Sequence, residues 1–370
     1  MAATDKDSEP THIRHGNVPQ TLELLAAYFD LASDSGPIHA RTVADTGRRF
    51  LAREPIPLYQ VLPAAQLRAC ISRDCPQAPR ISDPRELAQG TRTPPWDYLC
   101  AQLDEWDDLD PLAQLEVAQV LYRLGFWAVI ISIVPVGHQP EPTLNGARLA
   151  LLCYAAADLT GEKDPGIQAG TRELLAIVAT NVDMPPDARL RAATNLVVHH
   201  ARGDHSISAM QRWHGVAQRI LADHHSKALD PVLLSTYWRG VSFVPYVQGD
   251  RSETIFMLDE AERLAHEALA TEKPEDGLLA TEVLYPLLET RGRTCAEYRD
   301  FDGAEHYYRA LVVHDPLACL THFRLAEFLL HQGRFKESVP EYRRAADLGA
   351  PITDIAQARL EALAQNGFSE

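Results

Sequence analysis

From Val18 onward, apolar residues recur at three- to four-residue spacing through most of the chain; Leu22, Leu24, Leu25, Tyr28, Phe29 and Leu31 set the rhythm. On a helix of about 3.6 residues per turn, that spacing gathers the apolar side chains onto one face, which neighbouring helices must cover. The strict apolar–polar alternation of a half-buried strand is scarce, and no segment alternates strand with helix as a doubly wound sheet requires. Short breaks separate the candidate helices at Gly36-Pro37, Glu54 to Pro57, Cys75 to Pro79 and Thr91 to Pro95. The pattern predicts an all-α chain, with a polar, disordered tail over 1–16 and an N-terminal helical segment over 17–110. The longest apolar run, Phe126 to Pro135, is too short to span a bilayer and reads as a buried helix.

Residues 72–110 are the least regular part. Prolines stand at 76, 79, 84, 94 and 95, and an acidic stretch runs from Asp104 to Asp108. Composition reads this segment as a loop and a solvated helix end. The competing reading is an interaction segment with Trp96 and Trp106 as exposed anchors.

The C-terminal third repeats itself. Residues 285–316 align without a gap on 319–350, an offset of 34. Gly292 falls on Ala326, Cys295 on Leu329, Phe301 on Phe335, Ala304 on Ser338, Tyr308 on Tyr342 and Leu311 on Ala345. Self-similarity at a fixed period is the mark of a repeat array. Small residues sit where two helices must approach closely, aromatic residues fill the space beside them, and Asp300-Phe301 and Gly333-Arg334-Phe335 occupy turns. Over 285–352 this period and placement resemble the tetratricopeptide repeat, a helix–turn–helix unit that stacks into a superhelix. Departures from that pattern are Arg291 at a normally apolar position, Leu311 where the family favours Ala, and Pro340 inside a helix, where it removes one backbone hydrogen bond.

Residues 353–365, with Ile355, Leu360 and Leu363 on one side, read as the capping helix such arrays need. Weaker copies lie upstream: a helix pair turning at Gly249-Asp250, with Ala261 and Ala268 at the small positions; another from Leu190 to His225, turning at Gly203-Asp204; and a third around Leu124-Gly125-Phe126. The expected fold is therefore an irregular α-solenoid of antiparallel helix pairs over 111–370.

Charge narrows the function. Lys plus Arg is 35 against 51 Asp plus Glu, a net charge of −16, which opposes a nucleic-acid partner. The six cysteines form no Cys-x-x-Cys pair, and the polar N-terminus carries no apolar targeting core; together they predict a cytoplasmic protein with free thiols. Histidines at 199, 200, 205, 214, 224 and 225 raise the question of a metal. If the hairpin turns at 203–205, however, His224 and His225 lie about 30 Å from the first three, at about 1.5 Å per residue. No metal and no cofactor are expected. His266-Glu267 lacks the second histidine of a zincin, having Ala270 instead, and phosphate-loop and nucleophile-elbow patterns are absent. Arg202-Gly203-Asp204 reads as a chance tripeptide in an interhelical turn.

The resemblance implies a concave face lined by the first helix of each pair. Carried over by alignment, the groove-facing positions are Glu289, Arg293 and Ala296 in one repeat, then Phe323, Arg324, Glu327 and Leu330 in the next. Arginine forks suit carboxylates, and Phe323 offers apolar contact. The plainer alternative is that Glu289, Arg293 and Glu297 form an ordinary i,i+4 ladder on a solvated face. Relatives that grip a chaperone's C-terminal carboxylate use a Lys/Asn set, which Glu289, Arg293 and Arg324 do not reproduce. The expected function is a non-catalytic scaffold or adaptor that binds a protein or peptide segment bearing acidic groups or a free carboxylate. The alternatives are an enzyme or accessory subunit of a bacterial peptide-modifying or small-molecule biosynthetic pathway, with the groove as substrate cleft, and a peptide-sensing regulator.

Overall fold

The computed structural model describes residues 81–92, 94–123, 125–134, 143–160, 164–223, 229–270, 274–314, 319–348 and 352–368. The tail expected over 1–16, the helical pattern around Leu22, and His224 and His225 lie outside them. Among the described residues there are helices, turns and no strand. Fifteen α-helices follow one another among the described residues. They are α1 (Pro94–Asp104), α2 (Pro111–Arg123), α3 (Trp127–Ile133), α4 (Leu144–Thr160), α5 (Pro165–Thr180), α6 (Pro186–Arg202), α7 (Ile207–Asp223) and α8 (Pro231–Val241). The short α9 (Phe243–Gln248) precedes α10 (Arg251–Leu269), α11 (Pro274–Glu297), α12 (Phe301–His314), α13 (Cys319–His331), α14 (Phe335–Leu348) and α15 (Thr353–Gln365). None is long and apolar enough to cross a membrane.

Local chemistry sets the helix ends. Asp164 and Asp230 each stand before a proline at the first helical position and accept a backbone N–H two residues on, at 2.7 and 2.8 Å. Asp250 caps α10 in the same way, accepting from the Glu253 N–H at 3.0 Å. The turns after α9 and α13 pass through Gly249 and Gly333, at φ 78° and 72°, where a side chain would be strained. Pro340 is accommodated: it lies within α14, which runs unbroken from Phe335 to Leu348.

Packing follows chain order. The pairs α4/α5, α6/α7, α8/α10, α11/α12 and α13/α14 each pack internally, α6 meets α8, α8 meets α11, α12 meets α13, and α15 closes on α14. Neighbour-only packing of this kind is a general helical-repeat arrangement, in which each pair leaves an apolar face that the next one covers. The aligned positions of the two best repeats behave alike. Ala304, Tyr308 and Leu311 are buried, as are Ser338, Tyr342 and Ala345, and Ala326 packs at the position equivalent to Gly292. Tyr308 lies 5.4 Å from the Phe328 ring centroid. Arg291, at the position the repeat normally keeps apolar, is buried but paired: it bonds Asp259, reaches Glu262 at 2.8 Å and lies over the Tyr307 ring. The neighbouring pair thus supplies counter-charges for an otherwise foreign residue.

The irregular segment before residue 110 keeps a solvated acidic helix end, with Asp104, Glu105, Asp107 and Asp108 exposed, but its tryptophans follow neither reading of its composition. Trp96 and Trp106 are neither exposed anchors nor part of a solvated end; both are buried, in one apolar cluster with Leu87, Leu103, Leu121 and Phe126. The Trp96 indole N–H donates to the Pro84 carbonyl at 2.8 Å, and its ring meets Phe126 edge to face at 6.0 Å. The same cluster runs from Ile81 to Ile167, so the apolar core continues across the boundary expected at 110/111.

Candidate functional site

The first helices of four successive pairs, α6, α8, α11 and α13, bring charged side chains to one region. Helices α6 and α8 approach closely: a Cβ on Gly240 would collide with Thr194 Cγ2. That contact sets Arg239, the residue before Gly240, beside Arg202 at the end of α6. Helix α11 adds Glu289, Thr290, Arg293 and Thr294, and α9 adds Tyr246. With Arg202 these side chains line a recess of about 40 Å³. Its hydroxyls are partly committed: Ser242 donates to the Arg239 carbonyl at 2.7 Å, and Thr290 donates to the Pro286 carbonyl at 2.7 Å.

The electrostatics are uneven. Glu289 Oε1 accepts from Arg324 Nε at 2.9 Å, so the carboxylate lining the recess already has a cation from the next pair. Arg293 is exposed and makes no ion pair among the described residues. Arg239 is more unusual, because its Nε and Nη1 are enclosed and make no hydrogen bond among the described residues. Burial, reinforced by neighbouring Arg202 and opposed by Glu289, pushes its pKa down to about 10. A second pair of cations lies further along the same line of helices. Arg191, on α6, is held below the usual arginine range first by burial and then by Arg148 of α4, against the pull of Asp230 and Asp187. Arg191 and Arg202 are eleven positions apart on α6, which at about 100° per residue returns them to the same face.

The structure therefore gathers Glu289, Arg293 and Arg324, three of the expected groove residues. It does not bring the other four to them: Ala296 packs partly buried against the cluster of Ala304, Tyr308 and Phe328. Phe323 is 9% exposed and packs its ring against Tyr342 at 5.8 Å, so it is a core residue rather than an apolar contact for a ligand. Leu330 packs partly buried against the same cluster. Glu327 accepts from the Tyr342 hydroxyl and from Arg359 Nε at 3.0 Å, tying α13 to α14 and α15. The reason is helical spacing: 323, 327 and 330 form one stripe, turned about 100° from Arg324. No ion pair links Glu289 with Arg293, or Arg293 with Glu297, among the described residues, so the i,i+4 ladder is not formed; Glu289 turns to the next helix pair instead.

Sequence reading passed over Arg202, Arg239 and Tyr246. Arg202 sat in a tripeptide that looked accidental. Arg239 is a lone cation in the apolar run Tyr237 to Val241, and that anomaly, next to a glycine, was the available signal.

Three of the clustered histidines, His199, His200 and His214, make packing and hydrogen-bond contacts within the fold. His199 is 3% exposed, stacks on Tyr154 with centroids 4.2 Å apart, and has an enclosed Nε2 without a partner. His200 Nδ1 and Arg172 both bond Asp204, at 3.0 and 3.1 Å. His214 lies 3.4 Å from the Tyr237 hydroxyl. Among the described residues no three His, Cys, Asp or Glu side chains are placed to hold a metal ion. A larger and more open depression of about 550 Å³ lies among α5, α6 and α7, lined by Arg172, His200, Arg212 and Trp213, and its Arg172 and His200 are already engaged by Asp204.

His199 gives the fold a pH dependence of definite sign. Burial first, then Arg172 and His200, lower its pKa from 6.5 to about 4. Between those values the unfolded chain binds a proton that the folded chain does not, so stability is fully present above about pH 6.5 and is lost as pH falls toward 4. Thermal melts of the parent from pH 7 to pH 4 should show a steeper fall in Tm than melts of His199→Phe, which keeps the ring on Tyr154 without the proton. Parallel slopes would remove His199 as the cause.

No family model matches the chain, and no curated protein is similar to it.

Proposed function

We propose that the chain is a non-catalytic binding protein whose helix pairs stack as a tetratricopeptide-like solenoid and whose first-helix face takes an extended, acidic segment of a partner peptide or protein. The observation that carries this reading is the convergence of arginines from consecutive first helices, Arg202, Arg239, Arg293 and Arg324, on one region of a chain with net charge −16. A local cationic line on an acidic molecule orients an acidic ligand and repels basic ones. The 34-residue register and the like burial of its small and aromatic positions in the two repeats support the repeat assignment. Among the described residues Cys100, Cys153 and Cys319 are free and buried and Cys295 is free and half-buried, which suits the cytoplasm.

A charge-assisted hydrogen bond is typically worth about 1.5–3 kcal/mol, or roughly ten- to a hundredfold in affinity. Arg324→Ala acts twice, because it removes a cation and leaves Glu289 facing the ligand without its partner. On an array of random extended peptides, the parent should retain acidic sequences. An Arg293→Ala/Arg324→Ala variant should lose them by about tenfold or more, with little change in its own melting temperature. Equal retention by parent and variant, or enrichment of basic peptides by the parent, would overturn the reading.

A further inference from the structure

We propose that the recess between α6, α9 and α11 is a receptor for a phosphomonoester group carried by the ligand in the groove, held by Arg202 and Arg293 with Arg239 behind them. This deepens the groove reading and rests on it. Charge balance makes the case. Two guanidinium groups, Arg202 and Arg293, line the recess, a third, Arg239, lies behind it next to Arg202 and Glu289, and the one carboxylate that lines it, Glu289, is paired with Arg324. A carboxylate ligand would answer one of the three. A phosphomonoester brings about −1.5 to −2 charge and three strong acceptor oxygens on one compact group, which fits several arginine forks at once.

The state of Arg239 points the same way. A cation enclosed without a partner costs stability, and nothing among the described residues answers Nε or Nη1. Its Nη2 is outside that enclosure, and the residues flanking it, Arg202 and Ser242, line the recess. An anion seated there would supply the missing counter-charge. Donors are at hand as well: the Tyr246 phenol and the Thr294 hydroxyl line the recess and make no hydrogen bond among the described residues.

Size decides what part of a ligand enters. A recess of about 40 Å³ is far below the roughly 300–1,000 Å³ of a pocket that encloses a whole small molecule. It can take a head-group while the rest lies along the open first-helix face. The same smallness, with the net charge of −16, separates this site from a nucleic-acid surface, which needs a continuous cationic track.

The test uses the full chain and three probes at constant ionic strength: inorganic phosphate, acetate, and an acidic peptide with and without one phosphoserine. Calorimetric titration should show saturable binding of inorganic phosphate, none of acetate, and at least tenfold tighter binding of the phosphorylated peptide than of its parent. Arg293→Ala should weaken phosphate binding by about tenfold. Arg239→Met should abolish the thermal shift that phosphate produces while leaving the phosphate-free melting temperature equal or higher, since it removes an unpaired buried charge. That sign separates loss of the site from loss of the fold. Acidic peptides that bind equally well with and without the phosphoryl group, with no phosphate binding, would overturn this inference and leave the groove reading standing. No binding of any acidic probe would overturn both.

Discussion

Replacing Trp96 by Ala should cost about 3–5 kcal/mol, the range for removing a large aromatic ring from a packed core. Trp96 is 0% exposed and stands first among the large fully buried side chains. Its removal deletes the edge-to-face contact with Phe126, opens a cavity between α1 and the helices it covers, and takes from the Pro84 carbonyl its shortest hydrogen bond, leaving the Leu87 N–H and the Cys100 thiol as donors. Trp96→Phe should cost less, because it keeps part of the ring and gives up the hydrogen bond. Urea unfolding followed by far-ultraviolet circular dichroism checks both. If Trp96 were the exposed anchor that its proline-rich, acidic surroundings suggest, Trp96→Ala would leave the urea midpoint unchanged and weaken only partner binding. An unchanged midpoint would therefore remove α1 from the core.

The segment around Trp96 also shows where sequence reading gave out. Prolines at 84, 94 and 95 and the acidic run from 104 suggested a loop, because both features are common in solvated chain. In the structure Pro84 opens a short 3-10 turn capped by Asp83, and Pro94 opens α1, positions where a missing N–H costs nothing. The apolar face of α1, made by Trp96, Leu99, Cys100 and Leu103, was present at helical spacing but punctuated by these breakers. Periodicity was a safer guide where small residues recurred as well, as at Ala304 and Ala326, since a residue that must be small reports a neighbour at close range.

The site was legible in part for a related reason. Glu289, Arg293 and Arg324 could be placed on first helices by counting from the repeat. Counting puts Phe323, Glu327 and Leu330 on one stripe apart from Arg324, but it does not say that α14 and α15 cover that stripe, which depends on how the last pair packs. Nor could it see Arg202 and Arg239, which belong to pairs whose spacing departs from 34 residues. Their meeting is a product of the α6–α8 crossing at Gly240, a contact between residues 46 positions apart, from Thr194 to Gly240.

The strongest check on the repeat register lies at Gly292 and Tyr308, which belong to the two helices of one pair. A Cβ on Gly292 would stand 2.9 Å from the Tyr308 ring, closer than side-chain carbons normally approach. Tyr308→Ala should cost about 3–5 kcal/mol, since the ring is 7% exposed and packed on Phe328. Gly292→Leu should cost about 1–3 kcal/mol by overpacking, in spite of the roughly 1 kcal/mol that a helix gains when glycine leaves its interior. The two lesions are complementary, because the space that Tyr308→Ala empties is the space that Gly292→Leu needs. The double variant should therefore be more stable than the sum of the two costs requires, with a coupling of about 0.5–3 kcal/mol. Urea midpoints of the four proteins give that coupling directly. Simple additivity would mean that positions 292 and 308 do not face each other, and the 34-residue alignment that places Glu289 and Arg324 on neighbouring first helices would lose its structural basis.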